Sequence, residues 1–274
     1  MTGNRKGARA VVDRLKQRPQ AEYCGDAMRW GDGGRAMNEA QWLLSADPDP
    51  MCRYLEKAHA AQRKPRLVVV AWCWRLPDPS LQTALTLVEL FADGLVGPED
   101  LRRAERAANE RAYQGSDTSV PTTSAFFHAA TAVEYAIYHD PDAPYTHRMT
   151  DVSRHIAYSA GYAAAPAVRD GWERDGLAVF NRAETTERRA LAELVREVLG
   201  NPFRPAGFDP SWRTSTAVAL AKQMYESRDF GAMPILADAL QDAGCDDDDI
   251  LNHCRGSGPH VRGCWVVDLV LGKE

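Results

Sequence analysis

Apolar residues recur at helical spacing through most of the chain after Met37. Leu81, Ala84, Leu85, Val88, Phe91, Ala92 and Leu95 fall on one helical face. Gly94 and Gly97 interrupt that run, and Pro98 opens a second amphipathic helix reaching about Tyr113. Proline suits a first helical position, and Glu99 and Asp100 suit a first turn, where the helix dipole favours acids. Further helices are predicted from about Ser124 to Tyr138 and from Tyr145 to Ala164, separated by Pro141 and Pro144. Another spans about Thr186 to Leu199, buries Leu191, Leu194, Val195 and Val198, is capped by Gly200 and stopped by Pro202.

The last third repeats this logic. Ala217, Leu220, Ala221, Met224 and Tyr225 form one face; Ile235, Leu236, Ala239 and Leu240 form the next, ended by Gly244. Asp247 to Arg255 reads as a helix and Val261 to Leu271 as an apolar segment. Strand-like alternation is scarce: Leu67–Val70 is the best candidate, and its flanks suit a buried helix equally well. No repeat of solenoid length emerges. The prediction is an all-α fold, a multi-helix bundle or stacked helical hairpins, over residues 37–274. Candidate sub-boundaries lie near 115–123, where Gly, Ser, Thr and Pro gather, and near 200–210.

Residues 1–36 differ. They hold eight Lys/Arg against four Asp/Glu, a surplus of four, so the remainder carries −9 of the total −5. Two readings stay open: a start at Met37 that makes this stretch extra, or a short basic helix, Arg9 to Lys16, on a flexible leader.

Overall composition then limits the function classes. With 45% hydrophobic and 26% charged residues, the chain is of ordinary globular type. An acidic balance argues against nucleic-acid binding except through the basic leader. No apolar stretch approaches the roughly 20 residues that span a bilayer, and the N-terminal region lacks the apolar core of a secretory signal. Six cysteines are few for 274 residues, and reduced thiols in a cytoplasmic protein are the simplest reading.

The densest chemistry lies near the C-terminus. Cys245, Cys254, His260 and Cys264 follow spacings similar to a CCCH zinc finger with the last two ligand types exchanged, and His253 is an alternative ligand or proton carrier. Zinc is therefore the one cofactor the sequence brings forward, against the plain reading of small core cysteines. Four protein ligands would make such a zinc structural rather than catalytic. Acidic Asp246 to Asp249 lacks the alternation of a calcium loop and reads as helix cap and dipole partners. Gly256 to Gly263 reads as a tight turn between helices sooner than a phosphate cradle, since no Walker lysine follows.

Elsewhere the signals are thin. His128, His139, His147 and His155 lie along the central helices, with Asp151 one turn before His155. A di-metal bundle needs two Glu-x-x-His pairs, and only Glu56 with His59 supplies one. Trp72, Trp74, Trp212 and Trp265 read as core anchors rather than a ligand pocket. Arg204, in a Pro-stiffened connection, calls for a carboxylate partner that the sequence does not choose.

Several of these segments carry a resemblance. Met37 to Leu43 with Asp47 to Met51, Phe91 to Leu95, Gly200 to Pro205, Leu236 to Leu240, Ala243 to Asp246, His253 to Arg255 and above all Gly258 to Lys273 are similar to a large paralogous family of uncharacterised planctomycete-type bacterial proteins. The family carries a Cys-richer stretch where this chain has Val69 to Arg75, with Cys73 alone. The resemblance implies a shared helical scaffold beginning at Met37 and supplies no catalytic residue. The expectation is a cytoplasmic helical interaction or regulatory module with a protein partner; the alternative is a zinc protein with a Cys/His site at 245–264.

Overall fold

The apolar periodicity is realised as helices. This computed structural model describes residues 37–57, 62–76, 81–114, 146–165 and 174–273, with 128–129, 131–133 and 135–137 between them. Every regular element among the described residues is helical, so the fold is all-α. The leader 1–36, the loop 115–123, and the side chains of His59, His139 and His147 lie outside the described residues.

In chain order the helices are α1 (Glu39–Leu44), α2 (Pro48–Lys57), α3 (Arg63–Cys73), α4 (Gln82–Ala92), α5 (Pro98–Gln114), α6 (Thr146–Ala164), α7 (Arg174–Leu199), α8 (Ser215–Ser227), α9 (Met233–Asp242), α10 (Asp248–Arg255) and α11 (Trp265–Leu271). A 3-10 turn lies at Pro210–Trp212. No described helix is long and apolar enough to cross a membrane.

Local chemistry sets the ends. α1 opens on a reciprocal cap: Asn38 Oδ1 accepts from the Gln41 amide at 2.9 Å, and Gln41 Oε1 accepts from the Asn38 amide at 3.0 Å. Asp247 opens α10 by accepting from the Ile250 amide at 3.0 Å, the cap role read from the acidic run. Leu67–Val70 is the interior of α3, buried from Pro65 to Cys73 on every side, which is why its apolar run had no helical period to show. α7 begins at Arg174, well before Thr186. Among the described side chains of its first turns Leu177 and Val179 are exposed and Phe180 is buried, so no apolar stripe marks them.

Two apolar clusters result. The first includes Trp42, Met51, Leu85, Met149 and Leu191 and surrounds α3, which packs on α4, α6 and α7. Trp72 is its fully buried anchor and donates its indole N–H to Leu191 O at 2.9 Å. The second cluster holds Met224, Leu236, Leu240, Ile250 and Val267, from α8 to α11. The connection 200–210 leads from one to the other, and α11 packs on both α8 and α7. Arg204 in that connection pairs with Glu39 at 2.6 Å.

The seam between the clusters is ionic. Asp93, whose side chain is fully buried, meets Arg63 at 3.0 Å, Arg262 at 2.8 Å and Lys273 at 3.4 Å, and accepts from the Tyr225 hydroxyl at 2.8 Å. Buried Asp268 meets Arg63 at 2.7 Å and Lys64 at 2.5 Å. Arg228, in a left-handed conformation at φ 57°, pairs with Glu89 and lies over the Trp74 ring. Isolated buried charges are costly, and these are paired across the seam rather than within one helix.

Candidate metal centre

The same seam holds the most concentrated chemistry. α7 ends with Glu197 beside the apolar stripe, and Gly200 turns the chain away at φ 67°. α10 presents His253, the turn after it presents His260, and Cys264 is the N-cap of α11. Gly263, at φ 94°, brings that turn against α3: a Cβ there would lie 2.9 Å from Leu67 Cδ1. Lys64 ties the pieces together by donating to Val198 O and Gly263 O, each at 3.0 Å.

One ligand atom each from Glu197, His253, His260 and Cys264 lies within 4.8 Å of all the others. His260 Nδ1 is 3.2 Å from Glu197 Oε1; His253 Nε2 is 3.3 Å from Glu197 Oε2 and 3.2 Å from Cys264 Sγ. Ligands of a tetrahedral zinc, at bonds of roughly 2.0–2.3 Å, stand roughly 3.3–3.7 Å apart, and the Glu197–His260 pair, at 3.2 Å, is already close to that spacing. Among the described residues no other group of three or more such side chains converges in this way.

The converging set differs from the one that the spacing suggested. His260 and Cys264 belong to it, with His253, while Cys245 and Cys254 do not and Glu197 takes a place. Cys254 follows His253 on α10, about 100° further round the helix, and is buried in the second apolar cluster with Cys245. Burial, the Glu197 charge and Cys245 push the Cys254 thiol up to about 12.

Hydrogen bonding assigns the protons. The Trp265 indole N–H, a donor only, points at His253 Nδ1 at 3.1 Å, so that nitrogen carries a lone pair and the ring proton sits on Nε2. His260 faces acceptors with both nitrogens, Glu197 Oε1 and, at 3.2 Å, Gly256 O. Burial disfavours its charge, but the bond to Glu197 outweighs this and raises its pKa. Burial likewise opposes the Glu197 charge, and the bonds from His253 and His260 overcome it and hold the carboxyl below its usual range. Burial and the Glu197 charge push the Cys264 thiol far up, so without a cation it stays protonated.

These assignments limit the chemistry. A thiol with no exposure beside an imidazole that already bears its proton on the facing nitrogen is not an activated nucleophile. A divalent cation reverses the balance, because it stabilises thiolate and carboxylate together. His260 suits ligation through Nδ1, since its Nε2–H already has a backbone carbonyl to orient it. A cleft of about 370 Å³, lined by Glu193, Arg196, Ser257 and the two imidazoles, reaches the group, and a second of about 490 Å³ lies on the Trp265 side.

The central histidines go elsewhere. His128 and His155 face each other with Nδ1 atoms 2.9 Å apart among aromatic rings, His128 stacking on Tyr162. Asp151 pairs with Arg154 instead. Glu197 was beyond sequence reasoning because its partner His260 lies 63 positions away; a glutamate beside the stripe Leu194, Val195 and Val198 was the one available signal. Compared with family models, with curated proteins and with solved structures, the chain matches none.

Proposed function

We propose that this is a cytoplasmic zinc-binding helical protein in which the ion, held by Glu197, His260 and Cys264 with His253 beside it, fastens the C-terminal helices to the end of α7. One observation carries the reading: a carboxylate, two imidazoles and a thiol from three separate segments meet within 4.8 Å in the seam between two apolar clusters. Oxygen, nitrogen and sulfur donors are those that zinc accepts. The carboxylate and thiolate neutralise its charge where solvent does so poorly. An interaction module built on helical grooves has no need of such a convergence, so the zinc reading takes precedence.

The test is elemental analysis of protein purified without a His-tag. The reading expects close to one zinc per chain, kept in Cys245→Ala and lost in His260→Ala and Cys264→Ala. Substoichiometric metal in the unaltered protein would overturn it.

A further inference from the structure

We infer that the centre keeps one coordination position open, and that it takes a small exogenous anion with an oxygen or nitrogen donor, with Arg196 as counter-charge. The inference rests on the zinc reading above and extends it from a clasp to a ligand-binding site.

The Trp265–His253 contact carries the argument. A neutral histidine that ligates through Nε2 must carry its proton on Nδ1. Here Nδ1 receives the Trp265 N–H at 3.1 Å, so ligation would set one N–H against another. His253 therefore stays outside the coordination sphere. Its Nε2–H, 3.3 Å from Glu197 Oε2 and 3.2 Å from Cys264 Sγ, supports those two ligand atoms as an outer donor. Glu197, His260 and Cys264 remain, and zinc held by three protein groups keeps a place for water or another ligand.

The surroundings say what that ligand is. Zinc with one carboxylate and one thiolate is neutral, so a bound anion adds a negative charge that needs a partner. Arg196 lines the same cleft as the imidazoles. Its Nη1 donates to Trp42 O at 3.1 Å and Ser45 O at 2.9 Å. Among the described residues it forms no salt bridge. Glu193, which lines the same cleft, attracts it through space without a salt bridge, so its charge is held in place by carbonyls and only partly offset.

The experiment uses the whole chain loaded with cobalt(II), with azide and acetate as probes. Visible absorption reports both cobalt binding and entry of an anion into its coordination sphere. The expected result is a saturable spectral change with azide, with acetate competing. Arg196→Met should weaken azide roughly threefold to tenfold, the effect of one partly screened charge, while cobalt stays bound. Arg196→Lys, which keeps the charge, should restore most of that affinity. Trp265→Phe removes the N–H but keeps a ring; His253 can then ligate, and the azide response should fall with cobalt retained. Tight cobalt binding with a spectrum indifferent to azide would overturn the open position and leave the zinc reading standing. Failure to bind cobalt or zinc at all would overturn both.

Discussion

His253 and Cys254 are chain neighbours in different surroundings. The imidazole faces Glu197 and Cys264, and the thiol faces the second apolar cluster. Cys254→Ala should therefore keep zinc at full stoichiometry while costing about 1 kcal/mol of stability from lost packing. Metal analysis beside a urea melt checks both halves, and loss of zinc from this variant would contradict the assignment. The sequence showed that Cys and His gather between 245 and 264. It could not show which of them converge, because adjacent positions on a helix point about 100° apart. Nor could it show Glu197, which α7 delivers from a distant part of the chain.

At the scale of elements, the readable helices were those with one buried stripe, such as Leu191 to Val198. α3, whose Leu67–Val70 run is buried on every side and suits strand or helix alike, and the first turns of α7, with little apolar periodicity, were not. The seam between the clusters was hidden for a related reason: Arg63, Asp93, Arg262 and Asp268 look like ordinary surface charges until tertiary packing buries them. Asp93 lies at the end of α4 and meets cations from α3 and from the chain flanking α11. Asp93→Asn should leave those cations without their carboxylate and cost about 3–5 kcal/mol, as expected when one partner of a buried ionic group is removed. Chemical denaturation measures this, and a loss below about 1 kcal/mol would show that the seam does not hold the clusters together.

At the scale of the whole molecule, stability should depend on pH through the buried pair His128 and His155. Burial first, then the neighbouring imidazole, lowers His128 to about 3; burial first, then Arg154, lowers His155 to about 4. In the unfolded chain both take up protons below about 6.5. The unfolded state therefore binds more protons as pH falls from about 6.5 toward 4 and 3, and stability declines across that window. The slope is at most about 1.4 kcal/mol per pH unit for each histidine. Denaturation midpoints from pH 7 to pH 4 should fall, and the fall should be shallower in His128→Asn with His155→Gln. An unchanged slope in that double variant would remove the pair from the account.

The ligand set itself is tested most directly by X-ray absorption at the zinc edge on tag-free protein. The spectrum should show one sulfur at roughly 2.3 Å and the remaining ligands nitrogen or oxygen at roughly 2.0–2.2 Å, from Cys264, His260, Glu197 and the open position. Two or three sulfur ligands would contradict it and return the site to the Cys245, Cys254, His260 and Cys264 set that the spacing alone suggested.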